Sequence, residues 1–238
     1  MIQFGSKSII ADMDGVLFRH PKLFKMVSDR ATGFVKKCIN PYMSDQKAKK
    51  INEVLYKNFG HTVLGLKAIY DPTVTTKAFC EYVYDNDFLQ SMPHIEKENP
   101  FYEGKIEVQH LVNKLKQKGI SFYVFSNAPV KWSKTALNMM DIDLDLQNII
   151  GCDSYIYGEQ MLLKPEKESY VKIAEHIYDT EGFPYKTQLI YMDDQMINLM
   201  PIIDHPHWKA IWYHPNKDHI YTDKIYGIEE LDQLSLLL

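Results

Sequence analysis

Short apolar runs that end in polar residues recur along the chain, and they restrict its fold more than any other feature. The runs are SIIA, ISFYVF and LIYM, and a polar residue directly follows each one. Continuous apolar runs of this kind are typical of strands that are buried on both faces of a parallel sheet. Amphipathic segments of helical length separate the later runs, so we predict an α/β fold with helices on both faces of a mostly parallel sheet.

A block with a helical pattern interrupts this alternation over residues 17–95. Its apolar residues recur at spacings of three and four, as they do on one face of an α-helix. Pro21 suits a first helical turn, and Gly60 suits a helix end. We therefore predict a core formed by residues 1–16 and 96–238, with an all-helical domain inserted over 17–95.

The charge and hydropathy of the chain exclude several classes of partner. The formal net charge is −4 at pH 7, and Lys and Arg are not concentrated beyond short helical faces such as 47–50. The first ten residues lack the basic head and apolar stretch of a signal peptide, and no segment approaches the ~20 apolar residues of a membrane span. We predict a cytoplasmic protein, monomeric or homodimeric, that binds neither nucleic-acid polymers nor membranes.

The cysteines give no sign of a disulfide framework. Cys38, Cys80 and Cys152 are an odd number and contain no Cys-x-x-Cys spacing. This pattern is typical of reduced thiols in a cytosol-like compartment. We interpret each cysteine as a small core residue.

Polar residues with complementary chemistry stand at the ends of the predicted strands. In open parallel sheets, ligands bind outside the carboxyl ends of the strands, so we expect these residues to meet. The candidate site consists of Asp12, Asp14, Ser126, Asn127, Lys164, Asp193 and Asp194. Clustered carboxylates without His or Cys favour Mg²⁺, and a lysine with hydroxyl and amide groups beside it binds phosphate. Lys164 is expected directly before a helix that starts at Pro165.

The spacing of Asp12 and Asp14 predicts two different roles. A carboxylate that attacks phosphorus forms an aspartyl phosphate, which divides one very slow displacement into two easier steps. Asp12 is the candidate nucleophile. Asp14 is the candidate acid and base, since a metal, burial and neighbouring charges can hold a carboxyl group ready for proton transfer. Gly15 allows the sharp turn that aims Asp14 at the same site.

Each motif has a simpler structural interpretation when it is taken alone. Asp-x-Asp-Gly is a common polar turn, Ser-Asn a helix cap, Lys-Pro a solvated lysine before a helix, and Asp-Asp an N-cap pair. The combination of all four in this order favours the catalytic interpretation.

The order of the motifs resembles that of the haloacid dehalogenase-like (HAD) superfamily. The likeness is carried by DMDGVL, FYVFSNAPVKWSKTALNMMDI, LLKPEKESYVKIAEHI and LIYMDDQMINL. Phosphatase members have the second aspartate, Asp14, whereas the dehalogenases lack it, so the resemblance implies a phosphatase. It also implies a Rossmann-like core and a helical cap that closes over the substrate and excludes water.

The same resemblance implies roles for the site residues. Asp12 would be the nucleophile and a Mg²⁺ ligand, and Asp14 the acid and base with its backbone carbonyl on the metal. Ser126 and Lys164 would bind the phosphoryl group. The two aspartates that follow the run LIYM would also have different roles. Asp194 would ligate the metal directly, and Asp193 would act through a water.

Two segments, LYKNFGHTVLGL and YMDDQMIN, resemble the pyrimidine 5′-nucleotidase-like group within the superfamily. Related sequences carry a basic residue where Leu64 stands and a serine where Gln195 stands. Many members carry an acidic residue where Asn198 stands. The resemblance implies a small phosphorylated metabolite as the substrate, with a nucleoside 5′-monophosphate as the first choice.

Other functions stay open on the sequence alone. A pyridoxal phosphate or sugar phosphate could replace the nucleotide, and a phosphotransferase or mutase uses the same motifs. A catalytically weak binding or regulatory module is the alternative outside enzymes. Arg19 and His20 follow the first motif and would either contact the leaving group of the substrate or form a polar hinge pair.

Overall fold

A sheet of six parallel strands forms the centre of the molecule. The computed structural model describes residues 8–98, 100, 104–154, 161–214 and 224–237. The strands are β1 (Ser8–Ala11), β2 (Ser121–Phe125), β3 (Ile149–Ile150), β4 (Leu189–Asp193), β5 (Trp208–Tyr213) and β6 (Ile225–Ile228). Their order in the sheet is β3-β2-β1-β4-β5-β6, and the predicted α/β fold with a parallel sheet is confirmed.

Helices account for most of the remaining described chain. They are α1 (Pro21–Ile39), α2 (Asp45–Phe59), α3 (Thr62–Ile69), α4 (Thr76–Val83), α5 (Asn86–Glu98), α6 (Lys105–Gln117), α7 (Val130–Met139), α8 (Lys167–Glu181), α9 (Met196–Leu199) and α10 (Leu231–Leu237). A single 3₁₀ turn covers Leu146–Asn148. None of the described helices combines the length and the hydropathy that crossing a bilayer requires.

Two apolar clusters cover the opposite faces of the sheet. Ile9 and Ile10 belong to different clusters, because successive side chains of a strand point to opposite faces. Helices α5, α6, α7 and α10 contribute to the cluster around Ile9, and α8 contributes to the cluster around Ile10. Strand β1 is thus buried on both faces, which explains why its sequence is continuously apolar.

The position of β1 in the sheet determines where polar residues gather. It pairs in parallel with β2 on one side and β4 on the other, so that Ala11 stands opposite both Val124 and Met192. The three strands end at the same level. Residues that follow them therefore meet at one edge of the sheet, where ligands bind in folds of this type.

Two strands and one helix start differ from the sequence pattern. Strand β3 has two residues and β6 has four, which is too short for hydropathy periodicity to reveal. Helix α8 begins at Lys167, so the expectation that it starts at Pro165 is wrong. The reason is that Glu166 has an extended backbone and Pro165 lies in the preceding turn.

Helices α1 to α4 are inserted between β1 and the rest of the core, and we call them the inserted helices. They share a third apolar cluster that includes Phe34, Leu55 and Phe79. Helix α5 differs, because Phe88 and Met92 belong to a cluster of the sheet. An inserted all-helical domain is confirmed, whereas its boundary at residue 95 stays a prediction.

Local signals set the ends of the inserted helices. Pro21 occupies the first turn of α1, and the Ser44 hydroxyl accepts a hydrogen bond from the Lys47 N–H at the start of α2. Helix α2 ends before Gly60, which has a φ of 74°. A side chain at Gly60 would also collide with Pro165, since its Cβ would lie 2.8 Å from the proline Cδ.

His61 begins α3 and is buried. Its Nδ1 accepts a hydrogen bond from the Val63 N–H at 3.2 Å, and its ring packs edge-on against Phe79. Burial, with a smaller effect from the charge of Lys67, lowers the pKa of His61 to about 4. The imidazole is therefore neutral at pH 7, and its protonation in acid opposes folding.

Replacing His61 with Asn is expected to reduce the loss of stability in acid. The unfolded chain binds a proton at an ordinary histidine below about pH 6.5, whereas the folded chain binds it only near pH 4. The folded state thus loses up to about 3 kcal/mol at this position between those pH values. Asn keeps an oxygen that can cap α3 and has no proton to gain. Urea denaturation of wild type and H61N at pH 7 and pH 4.5 measures the difference.

His110, which is exposed on α6, provides the matched control. H110N should retain the pH dependence of the wild type. The prediction is wrong when H61N and wild type lose the same free energy of unfolding on acidification.

Candidate active site

A cavity of about 380 Å³ lies where β1, β2 and β4 end. The loops after these strands and the turn that carries Lys164 form its floor, and the inserted helices form its roof. Floor residues include Asp12, Asp14, Ser126, Asn127, Lys164 and Asp194, and roof residues include Phe24, Asn52, Glu53, Tyr56, His61, Phe79 and Tyr84. The structure thus brings the predicted residues together, with Asp193 fully buried behind the cavity.

Lys164 is the centre of the floor. Its side chain is 1% exposed, and its Nζ lies 2.7 Å from Oδ1 of Asp12 and 3.0 Å from Oδ2 of Asp193. It also donates to the backbone carbonyl of Phe125 at 3.0 Å. Burial alone would lower the pKa of Lys164, but the two carboxylates outweigh burial and raise it above its ordinary value. The ammonium is therefore charged and fixed.

Asn127 holds the backbone that carries this lysine. Its Oδ1 accepts a hydrogen bond from the Lys164 N–H at 2.8 Å, and its Nδ2 donates to the Lys164 carbonyl at 3.0 Å. The Lys164-Pro165 peptide bond is cis. Asn127 was expected to bind phosphate, and it lines the cavity as expected, but both ends of its amide are engaged in positioning Lys164.

Asp193 is surrounded by donors. Besides Lys164, its carboxylate accepts hydrogen bonds from the Tyr191 hydroxyl, from the Gln195 N–H at 2.7 Å and from Nδ2 of Asn198 at 3.1 Å to each oxygen. An acidic residue in place of Asn198 would repel this carboxylate. Asn198 donates hydrogen bonds to it instead, and these bonds stabilise Asp193 as the ionised partner of Lys164.

Asp194 is held on one side and open on the other. Its Oδ2 accepts from Nε2 of Gln195 at 2.8 Å, while its buried Oδ1 has no hydrogen-bond partner among the described residues. Gly15 packs directly against this carboxylate, since a Cβ there would lie 2.6 Å from Oδ2. Gly15 also has a φ of 93°, so both space and backbone conformation require glycine.

Asp12 directly follows β1, and one of its two carboxylate oxygens has partners. Oδ1 accepts from the Met13 N–H at 2.7 Å and from Lys164, while Oδ2 has no partner among the described residues. Burial raises the pKa of Asp12 well above its usual range, Lys164 opposes the shift, and Asp193 adds to it. Met13 points into the core with no exposed surface, as the alternation of side chains requires.

Asp14 receives a donor that the sequence pattern does not reveal. Nε1 of Trp132 lies 2.9 Å from one oxygen of Asp14 and 3.1 Å from the other. Trp132 sits on the buried face of α7, where helical periodicity predicts a plain core residue. Burial raises the pKa of Asp14 to about 6, and the bond from Trp132 opposes the rise. Asp14 can therefore exchange a proton near neutral pH.

Ser126 keeps its hydroxyl proton available. Its Oγ accepts a hydrogen bond from the Ala128 N–H at 3.0 Å, which fixes the oxygen and leaves its own O–H to donate. The side chain lines the cavity. Ser126 thus places a hydroxyl donor, and Lys164 a positive charge, on the same floor as the Asp12 carboxylate.

The carboxylates fit a divalent cation. Oxygen atoms of Asp12, Asp193 and Asp194 lie within 4.8 Å of one another. Burial, with a further effect from the charge of Asp193, raises the pKa of Asp194 to about 6, so a bound cation would favour its ionised form. Buried Oδ1 atoms of Asp194 and Asn198 lack partners among the described residues. A donor set of oxygens without His or Cys suits Mg²⁺ with its water ligands.

Neither Arg19 nor His20 is among the described residues that line the cavity, so their contact with a substrate stays a prediction, and their contacts favour the alternative of a polar hinge pair. Arg19 donates to the Tyr213 hydroxyl at 2.6 Å and pairs with Glu107 at 3.3 Å, away from the carboxylates. His20 is fully buried and caps α1 through its Nδ1. Leu64 packs into the third apolar cluster and also lies outside the cavity.

Solved structures of HAD proteins have a similar fold. A HAD hydrolase of family IA, variant 3, from Entamoeba histolytica matches over 95% of this chain and 94% of its own, with 13% identity and a TM-score of 0.60. A HAD phosphatase from Thermococcus onnurineus matches over 97% of both chains, with 15% identity and a TM-score of 0.58. The HAD hydrolase YfnB from Bacillus subtilis bound to magnesium matches over 99% of both, with 17% identity and a TM-score of 0.55.

Sequence comparisons alone give no family. No protein-family model matches the chain, and no curated protein matches it. Structural similarity at 13 to 17% identity establishes a shared fold and leaves the reaction to the side chains of the site. The chain therefore has the fold of the HAD hydrolases, a parallel sheet with helices inserted after its first strand.

Proposed function

We propose that the protein is a Mg²⁺-dependent phosphomonoesterase that works through an aspartyl phosphate. The observation that carries the proposal is the meeting of Asp12, Lys164 and Asp194 on the floor of one covered cavity. The phosphatase and hydrolase structures of the same fold support it. A phosphoryl group in the cavity would meet a nucleophile, fixed donors and a cation site.

Asp12 attacks the phosphorus atom through Oδ2, the oxygen without a hydrogen-bond partner among the described residues. A bond forms between this oxygen and phosphorus, and the bond from phosphorus to the leaving alcohol breaks. Ser126 donates to a phosphoryl oxygen, and the positive charge of Lys164 attracts the phosphoryl group while negative charge moves onto the leaving group. Oδ1 stays engaged by the Met13 N–H, which fixes the direction of attack.

Asp14 transfers the protons of both half-reactions. It donates a proton to the departing alkoxide, and then accepts one from the water that attacks the phosphorus of the aspartyl phosphate. The second step breaks the bond between Asp12 and phosphorus and releases inorganic phosphate. Trp132 holds the Asp14 carboxylate in place for both transfers.

Asp12 and Asp194 would hold Mg²⁺, together with the backbone carbonyl of Asp14 that the resemblance adds. Asp193 is fully buried and hydrogen bonds already occupy its oxygens, so its contact with the metal through a water stays a prediction from the resemblance. When it is bound, the cation offsets the repulsion between the carboxylates and the phosphoryl group. The magnesium in the Bacillus subtilis structure of the same fold supports this choice of metal.

The roof suits a flat, largely apolar leaving group. Tyr56, Phe79 and Tyr84 line it, together with polar side chains that include Asn52, Glu53 and His61. A cavity of about 380 Å³ lies within the range of small-molecule sites. We therefore propose a nucleoside 5′-monophosphate as the substrate and the insertion over 17–95 as a cap that covers it. The cytoplasmic location and the monomeric or homodimeric state stay predictions.

Asp12→Asn is expected to abolish phosphatase activity. With p-nitrophenyl phosphate and Mg²⁺, turnover should fall at least about 10³-fold, because the amide cannot act as the nucleophile. EDTA should stop the wild-type reaction, and added Mg²⁺ should restore it. Asp204→Asn, at an exposed position, is the control and should keep wild-type turnover. Equal turnover in D12N and wild type would remove the proposal.

A panel of phosphorylated metabolites tests the substrate class. We expect the highest kcat/KM for nucleoside 5′-monophosphates, because the roof offers aromatic surfaces to a base. Release of inorganic phosphate is the readout, and chromatography of the products detects any phosphorylated isomer. Preference for a sugar phosphate or pyridoxal phosphate would overturn the nucleotide assignment, and an isomer as the product would indicate a mutase.

Trp132→Phe is expected to lower kcat/KM by a factor that depends on the leaving group of the substrate. The ring packing against Phe18 and Phe88 is kept, while the N–H that holds Asp14 is lost. For a nucleoside monophosphate, whose alkoxide needs a proton, kcat/KM should fall about tenfold. For p-nitrophenyl phosphate, whose phenolate leaves without one, it should fall much less. The ratio of the two kcat/KM values is the measurement.

Trp212→Phe provides the matched control for this ratio. It removes the indole N–H that donates to the Asp194 carbonyl at 3.0 Å, and it should lower both values by the same factor. Equal losses for both substrates in W132F would show that Trp132 does not act through Asp14.

A further inference from the structure

Two cysteine thiols meet where the inserted helices contact the core. Cys80 lies in α4, and Cys152 lies in the turn after β3, 72 residues further along the chain. Their sulfur atoms are 3.1 Å apart, and both residues are buried. Because a disulfide bond joins sulfurs at about 2.05 Å, a movement of about 1 Å separates this contact from a covalent bond.

The contact between the two sulfur atoms joins the segment that supports the cavity floor to helix α4, which forms part of the roof. The Cys152 N–H donates to the carbonyl of Ala128 at 3.0 Å, and its carbonyl accepts from the Leu162 N–H at 3.2 Å. Cys152 is thus fixed between the loop after β2 and the segment that leads to the catalytic lysine. Cys80 lies on the same helix as Phe79, which lines the roof.

We propose that Cys80 and Cys152 form a reversible disulfide that holds the inserted helices closed on the core and stops substrate exchange. The bond itself is independent of the reaction catalysed, whereas its effect on turnover rests on the proposed function. We take movement of the roof away from the floor to be the route by which a nucleotide-sized substrate enters and leaves. A covalent link between α4 and the turn after β3 prevents that movement.

The oxidant is a low-molecular-weight disulfide. The Cys80 thiol loses its proton and its sulfur attacks one sulfur of the oxidant, which breaks the oxidant bond and releases one thiolate. Cys152 then loses its proton and attacks the Cys80 sulfur, which forms the protein disulfide and releases the second thiolate. Two electrons pass from the protein thiols to the oxidant. Two thiols in the protein are exchanged for two small thiols in solution.

Burial determines when this exchange can begin. The hydrogen bond with Cys80, together with burial, raises the pKa of the Cys152 thiol well above its ordinary value. Since the thiolate is the reactive form, the raised pKa keeps the Cys152 thiol unreactive in the closed arrangement, and burial shields the Cys80 sulfur from an oxidant in solution. The first step therefore takes place while α4 is displaced, and closure brings the second thiol to the mixed disulfide.

Oxidised glutathione, applied to the full chain, tests the proposal. Peptide mapping under non-reducing conditions should find a Cys80–Cys152 cross-link, and the intact mass should fall by the two hydrogens lost. Turnover of p-nitrophenyl phosphate should fall at least about tenfold and return with dithiothreitol. C80A and C152A should each stay active after oxidation. C38S, at the half-buried third cysteine, should behave like the wild type.

Each outcome bears on the proposal. Oxidised wild type that carries glutathione on Cys38 while Cys80 and Cys152 remain free thiols would overturn it. A Cys80–Cys152 cross-link with unchanged turnover would overturn its effect on substrate exchange. Protein that is inactive on every phosphate before oxidation would refute the proposed function instead, and the peptide map would still decide whether the bond forms.

Discussion

The ammonium of Lys164, buried between Asp12 and Asp193, is the interaction on which the rest of the site depends. Removing such a charge from water costs several kcal/mol, and only close carboxylates and a carbonyl can offset that cost. The requirement extends outward, because Asp193 needs its own donors from Tyr191 and Asn198. A single buried cation therefore ties the ends of β1, β2 and β4 into one network.

The parts of this network that depend on neighbouring residues of the chain could be predicted from the amino-acid sequence. Continuous apolar runs identify β1, β2 and β4, since a strand buried on both faces must be apolar throughout. Because parallel strands end together, the polar residues after them were expected at one edge. The order of the motifs, and not any one of them, made Asp12 and Lys164 candidates.

Contacts between distant segments could not be predicted. The amide of Asn127 pairs with a backbone 37 residues away, and the indole of Trp132 reaches an aspartate 118 residues before it. Helical periodicity records only that Trp132 faces inward. Arg19 illustrates a related limit, because closeness in sequence to Asp12 and Asp14 does not fix the direction of its side chain, which donates to the Tyr213 hydroxyl.

The shared fold and the individual side chains contribute different information. Similarity to distant HAD structures concerns the fold alone, and the position of the candidate site at the carboxyl edge follows from the parallel sheet of this chain. The chemistry follows from details, such as a second aspartate held by an indole. It also follows from Asn198, whose amide donates hydrogen bonds to the Asp193 carboxylate. An acidic residue at this position would repel that carboxylate.

The contact between Gly15 and Asp194 restricts how this site can diverge. With no room for a Cβ between them, the loops after β1 and β4 are in direct contact at this point. Any displacement of the Asp194 carboxylate must be accommodated by the loop that carries Asp14. The floor is therefore sterically constrained at this contact, because any side chain at position 15 would displace the Asp194 carboxylate.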